Sequence, residues 1–322
     1  MANWDELNQE INNEFAKSGG QAVDIVRRAK LKKLSEITSR PILLYGVEMF
    51  NPEKINATRG DVSINLTDKD GFIEALRDIQ GKDIDIIIHS PGGSPEATES
   101  IVNLLRSRFT SIRFIVPSIA KSAATMLTMS GDEIILGENA ELGPTDPQII
   151  INGAANPALA ILEQFDLAKQ EISKNNIVLP AWLPILQQYG PSLIVVCQNA
   201  IKLTKSLVSS WLGKYMFKGQ KNPKQKAAII STYLAGKKHL SHSRSIDIDE
   251  LKKKGVKIKY ANEISVEFDI ALQDVYFALM QTFQRTGAYK IYENNLGRGF
   301  YKVIQVVVVQ APTQQPAPQI QT

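Results

Sequence analysis

Cysteine is nearly absent from this chain of 322 residues, which holds only Cys197. A single cysteine excludes a disulfide within the chain and a cysteine-based metal site. Histidine is scarce too, at three residues, and histidines and carboxylates do not cluster with ligand spacing. We therefore expect no metal. A dinucleotide fingerprint and a P-loop are also missing, so we expect no nucleotide cofactor.

Long apolar runs are missing as well. No stretch reaches the roughly 18 uninterrupted apolar residues that a membrane span needs, and the acidic start MANWDELNQE lacks the order of a secretory signal. We expect a cytoplasmic protein. The net charge of +4 is spread along the chain, so we expect no nucleic-acid partner. The basic cluster at residues 27–33 is interpreted as a solvated helix face, and peripheral contact with an anionic membrane stays open.

Short apolar strands alternate with helical patterns between residues 41 and 150. Runs at 41–46, 83–89, 112–117 and 132–137 are rich in apolar and β-branched residues, and helical spacing lies between them. This alternation predicts right-handed crossovers on a parallel sheet. Helical patterns also fill residues 1–38, most of 157–235 and roughly 267–284. The run 303–309 is interpreted as an edge strand or an aggregation-prone tail.

A glycine turn follows the strand at 83–89. Its sequence is Ser90-Pro91-Gly92-Gly93, and paired glycines let the backbone fold tightly and present an N–H group outward. Such an N–H can stabilise an oxyanion. The alternative interpretation is a plain Pro-Gly turn.

A serine opens the helix that follows the next strand. Ser122 stands between Lys121 and Ala123, in a segment of small residues. The start of a helix favours nearby negative charge, which suits an alkoxide or an oxyanion. The alternative interpretation is that Ser122 is a helix N-cap.

Taken together and in this order, the two motifs resemble those of the Clp/crotonase superfamily. Within it, the chain is most similar to signal peptide peptidase A-like proteins called serine dehydrogenase proteinases, over roughly residues 40–300. Further matching segments are Gly143-Pro144-Thr145-Asp146-Pro147-Gln148 and Ser241-His242-Ser243-Arg244-Ser245-Ile246.

The resemblance implies an α/β fold with a Clp/crotonase-like core of repeated ββα (βαβ) units in a spiral, N-terminal helices and a helical C-terminal extension. The corresponding division is an N-terminal helical segment (1–38), a catalytic core (39–155), a helical cap and oligomerisation region that completes the core (156–300), and a tail (301–322), disordered from about 311.

The resemblance also implies a serine endopeptidase, which acts on peptides or proteins and forms a homo-oligomer. Ser122 takes the position of the nucleophile. The backbone N–H groups of Gly93 and Ala123 take the positions of the oxyanion donors, with Gly92 beside them.

The general base is where this sequence departs from Clp-type enzymes. Thr145 stands where their histidine would be. Signal peptide peptidase A-like enzymes instead use a lysine some forty to fifty residues after the serine, and Lys169 fits that window on an apolar-flanked helix. Lys174, Lys202 and Lys205 remain alternatives, and His242 is the best base that is not a lysine.

Two further questions stay open in the sequence. Asp146 either orients a base, binds substrate backbone, or forms an Asp-Pro turn. Two other functions also compete: a catalytically impaired scaffold or binding protein of the same fold, and a crotonase-type acyl-CoA enzyme, for whose acid/base carboxylates we find no counterpart.

Overall fold

Eleven strands occur in the computed structural model, which describes residues 4–304. They are β1 (Ile42–Val47), β2 (Asp83–His89), β3 (Ser111–Val116), β4 (Ile119–Ala120), β5 (Glu133–Leu136), β6 (Glu141–Leu142), β7 (Gln148–Ile151), β8 (Ala154–Pro157), β9 (Ile258–Tyr260), β10 (Ala288–Asn294) and β11 (Gly299–Val303).

Thirteen α-helices connect and cover these strands over the same residues. They are α1 (Trp4–Ser18), α2 (Ala22–Thr38), α3 (Pro52–Ala57), α4 (Asp68–Ala75), α5 (Pro95–Arg108), α6 (Ala123–Thr128), α7 (Ala158–Lys174), α8 (Leu179–Leu186), α9 (Leu193–Lys214), α10 (Pro223–Leu234), α11 (Ile248–Lys253), α12 (Ala261–Ile264) and α13 (Val266–Arg285).

Seven of the strands form the main sheet, in the order β11-β10-β1-β2-β3-β5-β9. The five strands from β1 to β9 in this order are parallel, whereas β10 and β11 run antiparallel. In β2 every residue after Asp83 is buried, as expected for a central strand with both faces covered. The parallel α/β core predicted from the sequence is confirmed.

The two faces of the sheet carry separate apolar cores. On one face, Ile86 and Ile88 of β2 pack with the helices α4, α5, α6, α9 and α10. On the other face, Ile87 packs with α2 and α13. The N-terminal helix α2 is therefore part of the covering layer rather than an appendage.

Arg27 shows how tightly α2 is joined to the sheet. Its side chain is fully buried, and its Nε donates to Glu293 Oε2 of β10 at 2.8 Å. Arg28 donates to Oε1 of the same carboxylate at 2.6 Å. Arg27 and Arg28 thus both contact the protein. The interpretation of the basic cluster as a solvated helix face is wrong at Arg27.

The strand β10 has no counterpart in the sequence prediction. Its residues Lys290, Glu293 and Asn294 are polar yet fully buried, so the strand lacks the apolar run that predicts a buried strand. The strand β11 ends at Val303, inside the range predicted as tail. The rest of the 303–309 run and the tail from 311 lie outside the described residues.

No helix within residues 4–304 combines the length and the apolar character needed to cross a bilayer.

Candidate active site

The glycine turn and the segment before Ser122 lie side by side, where β2 and β3 end. Ser90 N–H donates to the Ile119 carbonyl at 3.0 Å, and Lys121 N–H donates to the Ser90 carbonyl at 3.1 Å. These bonds bring the two sequence motifs together at the carboxyl edge of the parallel strands, where open α/β sheets bind ligands.

Both turn glycines occupy positions that a side chain would obstruct. Gly92 has φ +99°, and a Cβ built on it would lie 2.7 Å from Ser122 Cβ. Gly93 has φ +155°, and its Cβ would lie 2.3 Å from the backbone of Ile64. The strand-like pairing of Gly93 with Ile64 fixes the turn on its other side. The close approach to Ser122 therefore requires glycine.

Ser122 has a backbone conformation that L-residues rarely adopt, with φ 51° and ψ −122°. Such a conformation costs about 1–3 kcal/mol and persists where the surrounding structure enforces it, often at active sites. The Ser122 side chain makes no capping hydrogen bond to α6, so the N-cap interpretation is wrong. A strained serine in a strand-to-helix turn is also how the nucleophile of α/β-hydrolases is exposed.

Two backbone donors stand beside this serine. Within residues 4–304, the N–H groups of Gly93 and Ala123 have no hydrogen-bond acceptor. Both residues line the same cavity as Ser122. Free N–H groups at such a place can bind an oxygen that carries negative charge.

The cavity at Ser122 has a volume of about 350 Å³. Its walls come from the glycine turn, α6, the loop into β7 and one stripe of α9. The lining residues are Gly93, Pro95, Glu96, Ser122, Ala123, Met126, Thr145, Asp146, Pro147, Gln148, Ile149, Val196, Ala200, Leu203 and Thr204.

Asp146 links this cavity to a histidine. His242 Nδ1 lies 2.8 Å from Asp146 Oδ1, and Gln148 Nε2 donates to Asp146 Oδ2 at 2.7 Å. Both carboxylate oxygens are thus engaged. His242 and Asp146 also line a second cavity of about 330 Å³, so Asp146 stands between the two cavities.

Lys121 ties the loop of His242 to the segment of the serine. Its Nζ donates to Ser245 Oγ at 3.0 Å and to Glu141 Oε2 at 2.6 Å. The hydrogen bond from Lys121 lowers the pKa of Glu141. Ile246 N–H also donates to the Leu142 carbonyl at 2.9 Å. These bonds join the loop of His242 to the residue before Ser122 and to β6, a link that no sequence pattern indicates.

The lysine chosen from the sequence lies elsewhere. Lys169 is on α7 with an exposed side chain, and it does not line the cavity of Ser122. Lys202 and Lys205 line a separate surface groove between α9 and α10, and Lys174 is exposed at the end of α7. The structure brings Ser122, Gly93, Ala123 and Asp146 together around one cavity, with Gly92 against Ser122. His242 is joined to this cavity only through its contact with Asp146, and neither His242 nor Lys169 lines it.

The other two histidines, like His242, are not among the residues that line the cavity of Ser122. His89 is buried among the rings of Phe50 and Tyr276, and burial lowers its pKa to about 3. His239 Nε2 lies 2.8 Å from the Tyr233 carbonyl oxygen. His239 is thus held by a hydrogen bond, whereas both ring nitrogens of His89 are buried without a hydrogen-bond partner among the described residues.

The chain is similar to several known proteins. A family model described as "ClpP-like SDH-type serine proteinase" matches residues 62–282. Two uncharacterized proteins of Methanocaldococcus jannaschii are 33% identical over 117 residues and 40% identical over 87 residues, which is 36% and 27% of this chain. These matches span only 39% and 30% of the relatives' own lengths.

Among solved structures, a variant of the 1510-N membrane-bound stomatin-specific protease is 17% identical, with a TM-score of 0.31. That match covers 62% of this chain and 92% of the other. Since the family model spans more than half of the sequence, the chain belongs to the ClpP-like SDH-type serine proteinases.

Proposed function

We propose that this chain is a serine endopeptidase in which Ser122 attacks the carbonyl carbon of a peptide bond. The observation that carries the proposal is the strained backbone of Ser122 beside the unpaired N–H groups of Gly93 and Ala123. These two N–H groups hold the oxyanion of the tetrahedral intermediate. Family membership supports the same chemistry.

The proposal assigns the proton transfers to His242. When Nδ1–H donates to Asp146, Nε2 is left as an acceptor. It takes the proton of the Ser122 hydroxyl as the Oγ–C bond forms, and returns it to the amine as the C–N bond breaks. Water then attacks the acyl group by the same route. Because catalytic hydrogen bonds often tighten only when substrate binds, a direct bond from Ser122 to His242 is not required beforehand.

The Ser-Lys dyad predicted from the sequence is the competing proposal for the base. A lysine accepts a proton at neutral pH only if burial or a neighbouring charge lowers its pKa. Lys169 is exposed, so it would need a movement of α7 or a second copy of the chain to cover it. The contact between His242 and Asp146, a residue that lines the cavity of Ser122, supports His242 over the exposed Lys169.

A fluorophosphonate probe tests the nucleophile and the base together. We expect the probe to label Ser122, and Ser122→Ala to abolish labelling. We expect His242→Gln to slow labelling roughly 100-fold or more, because general-base catalysis contributes about 10²–10⁴. Lys169→Gln should behave like the matched control Lys174→Gln, since both lysines are exposed on α7.

Two outcomes would contradict the proposal. Strong slowing by Lys169→Gln, with no effect of His242→Gln, would restore the Ser-Lys dyad. A folded protein in which Ser122 never reacts would leave the fold as a binding or scaffold protein. The proposal also includes peptide or protein substrates and self-association of the chain.

A further inference from the structure

Two buried threonine hydroxyls in the cavity of Ser122 have no hydrogen-bond partner among the described residues. Thr145 is 3% exposed and Thr204 is 1% exposed. A buried hydroxyl without a partner destabilises the folded state, so folded proteins rarely keep one without a reason. Here two of them line one cavity.

The two threonines reach the cavity from separate parts of the chain. Thr145 lies in the loop after β6, where its N–H donates to the Leu234 carbonyl at 2.9 Å. Thr204 lies on α9, on the same stripe as Val196 and Ala200. Both residues line the cavity, although their hydroxyl oxygens are buried, so a ligand that fills the cavity can supply each hydroxyl with a partner once the threonine side chain turns about its Cα–Cβ bond.

The rest of the lining restricts the charge of that ligand. Met126, Ile149 and Leu203 supply apolar walls, and the charged lining residues are Glu96 and Asp146, both acidic. These carboxylates repel an anionic side chain. An ammonium group beside the threonines would lose its hydration and gain only carboxylates that already have partners, since His242 and Gln148 contact Asp146 and Ser94 Oγ donates to Glu96.

We propose that this cavity receives the side chain of the substrate residue whose carbonyl Ser122 attacks, and that Thr145 and Thr204 select a neutral amide there, as in glutamine. Each hydroxyl can donate to the amide oxygen or accept from the amide nitrogen. The inference rests on the proposed function, since it takes Ser122 as the nucleophile.

The preference is measured with fluorogenic peptides that differ only in the residue before the scissile bond. Glutamine, methionine, glutamate and lysine are compared, because methionine matches the length of glutamine without its hydrogen bonds. We expect kcat/KM for glutamine to exceed that for methionine roughly tenfold or more, as two added hydrogen bonds would give. Glutamate and lysine should be cleaved less well than glutamine.

Thr145→Val and Thr204→Val remove the hydroxyls and keep the side-chain shape. Each variant should lower the ratio of glutamine to methionine hydrolysis, and the double variant should bring it close to one. Neither single variant should lower the melting temperature, because each removes an unpaired buried hydroxyl. The matched control is Thr98→Val, whose buried hydroxyl donates to the Ser94 carbonyl at 3.0 Å. It should lower the melting temperature and keep the preference.

Binding to Ser122→Ala separates this inference from the proposed function. The same peptides are titrated against that variant, and the glutamine peptide should bind more tightly than the methionine peptide. If the glutamine and methionine peptides are cleaved equally well, or bind equally well where neither is cleaved, the role given to Thr145 and Thr204 is wrong. If Ser122 reacts with fluorophosphonate while the preference is absent, only the inference fails. If Ser122 never reacts and yet the binding preference is found, only the proposed chemistry fails.

Discussion

At the residue scale, Ser122 combines a polar side chain with a backbone that suits glycine better. Its φ of 51° and ψ of −122° lie where an L-residue is strained and glycine is not. The structure therefore holds this serine against a local preference, as expected for a side chain kept for its chemistry.

Replacing Ser122 by glycine tests this strain. We expect Ser122→Gly to be more stable than Ser122→Ala by roughly 1 kcal/mol, since relief of about 1–3 kcal/mol of strain is partly offset by the greater freedom of glycine when unfolded. Urea unfolding measures the difference. At Ser107, inside α5, glycine should instead be less stable than alanine by about 1 kcal/mol. If the alanine variant is more stable than the glycine variant at both sites, the backbone of Ser122 is not strained.

The sequence was informative about residues whose role depends on local chain order. The glycine turn and Ser122 lie at the ends of successive strands, so their meeting follows from parallel topology. Thr204 and His242 join the site through α9 and a distant loop, and no local pattern marks them. Lys169 was chosen by its spacing from Ser122, and spacing along a chain does not determine whether a side chain is buried.

At the element scale, α2 and β10 are joined by a buried ion pair. Burial alone would raise the pKa of Glu293, but Arg27, Tyr301 and Arg28 outweigh it and hold that pKa below its usual 4.5. A carboxylate with a lowered folded-state pKa contributes stability above the unfolded pKa and loses it as pH falls through the folded value.

This pair predicts a pH-dependent loss of stability. Glu293→Gln should lower the free energy of unfolding at pH 7 by roughly 3–5 kcal/mol, because Arg27 is left buried without its counter-charge. Below about pH 4.5 the difference from the unmodified protein should shrink. Asp78→Asn is the control, since Asp78 and Arg298 form a mostly exposed pair, worth at most about 1 kcal/mol. Equal effects of the two changes in denaturant titrations would refute the role given to Glu293.

The strands and helices that the sequence predicts best are those with a clear pattern of apolar residues. The strands β1, β2, β3 and β5 are apolar runs, and all four were expected. The helix α6 begins only at Ala123, after Ile119 and Ala120 have paired with β6. Strand pairing at the site thus prevails over the helical pattern of the sequence. The strand β10 could not be predicted because its buried residues are polar.

At the scale of the whole molecule, the region from β7 to the start of α9 exposes apolar side chains. None of the residues of α8 is buried. The exposed residues are Ile150, Phe165, Leu167, Ile177, Leu183, Val195 and Val196. Exposed apolar surface of this kind marks interaction sites, which supports the proposal that residues 156–300 include an oligomerisation region.

Self-association is tested by light scattering. We expect a homo-oligomer at micromolar concentration, and we expect Ile177→Ser combined with Leu183→Ser to weaken it, because both side chains are exposed on this region. Val266→Ser is the matched control, since Val266 is 72% exposed but lies on α13. A protein that remains monomeric at high concentration would contradict the proposal.

The position of β1 in the sheet has a consequence for synthesis on the ribosome. Its partners are β2, which follows soon after, and β10, which begins only at residue 288. At a synthesis rate of about 5–20 residues per second, β10 is made on the order of ten to fifty seconds after β1, and one edge of β1 has no partner strand until then. During that interval the emerging chain presents an apolar strand edge that can pair with another chain. The ribosome has therefore made the serine, the glycine turn and His242 before the strand that covers the free edge of β1.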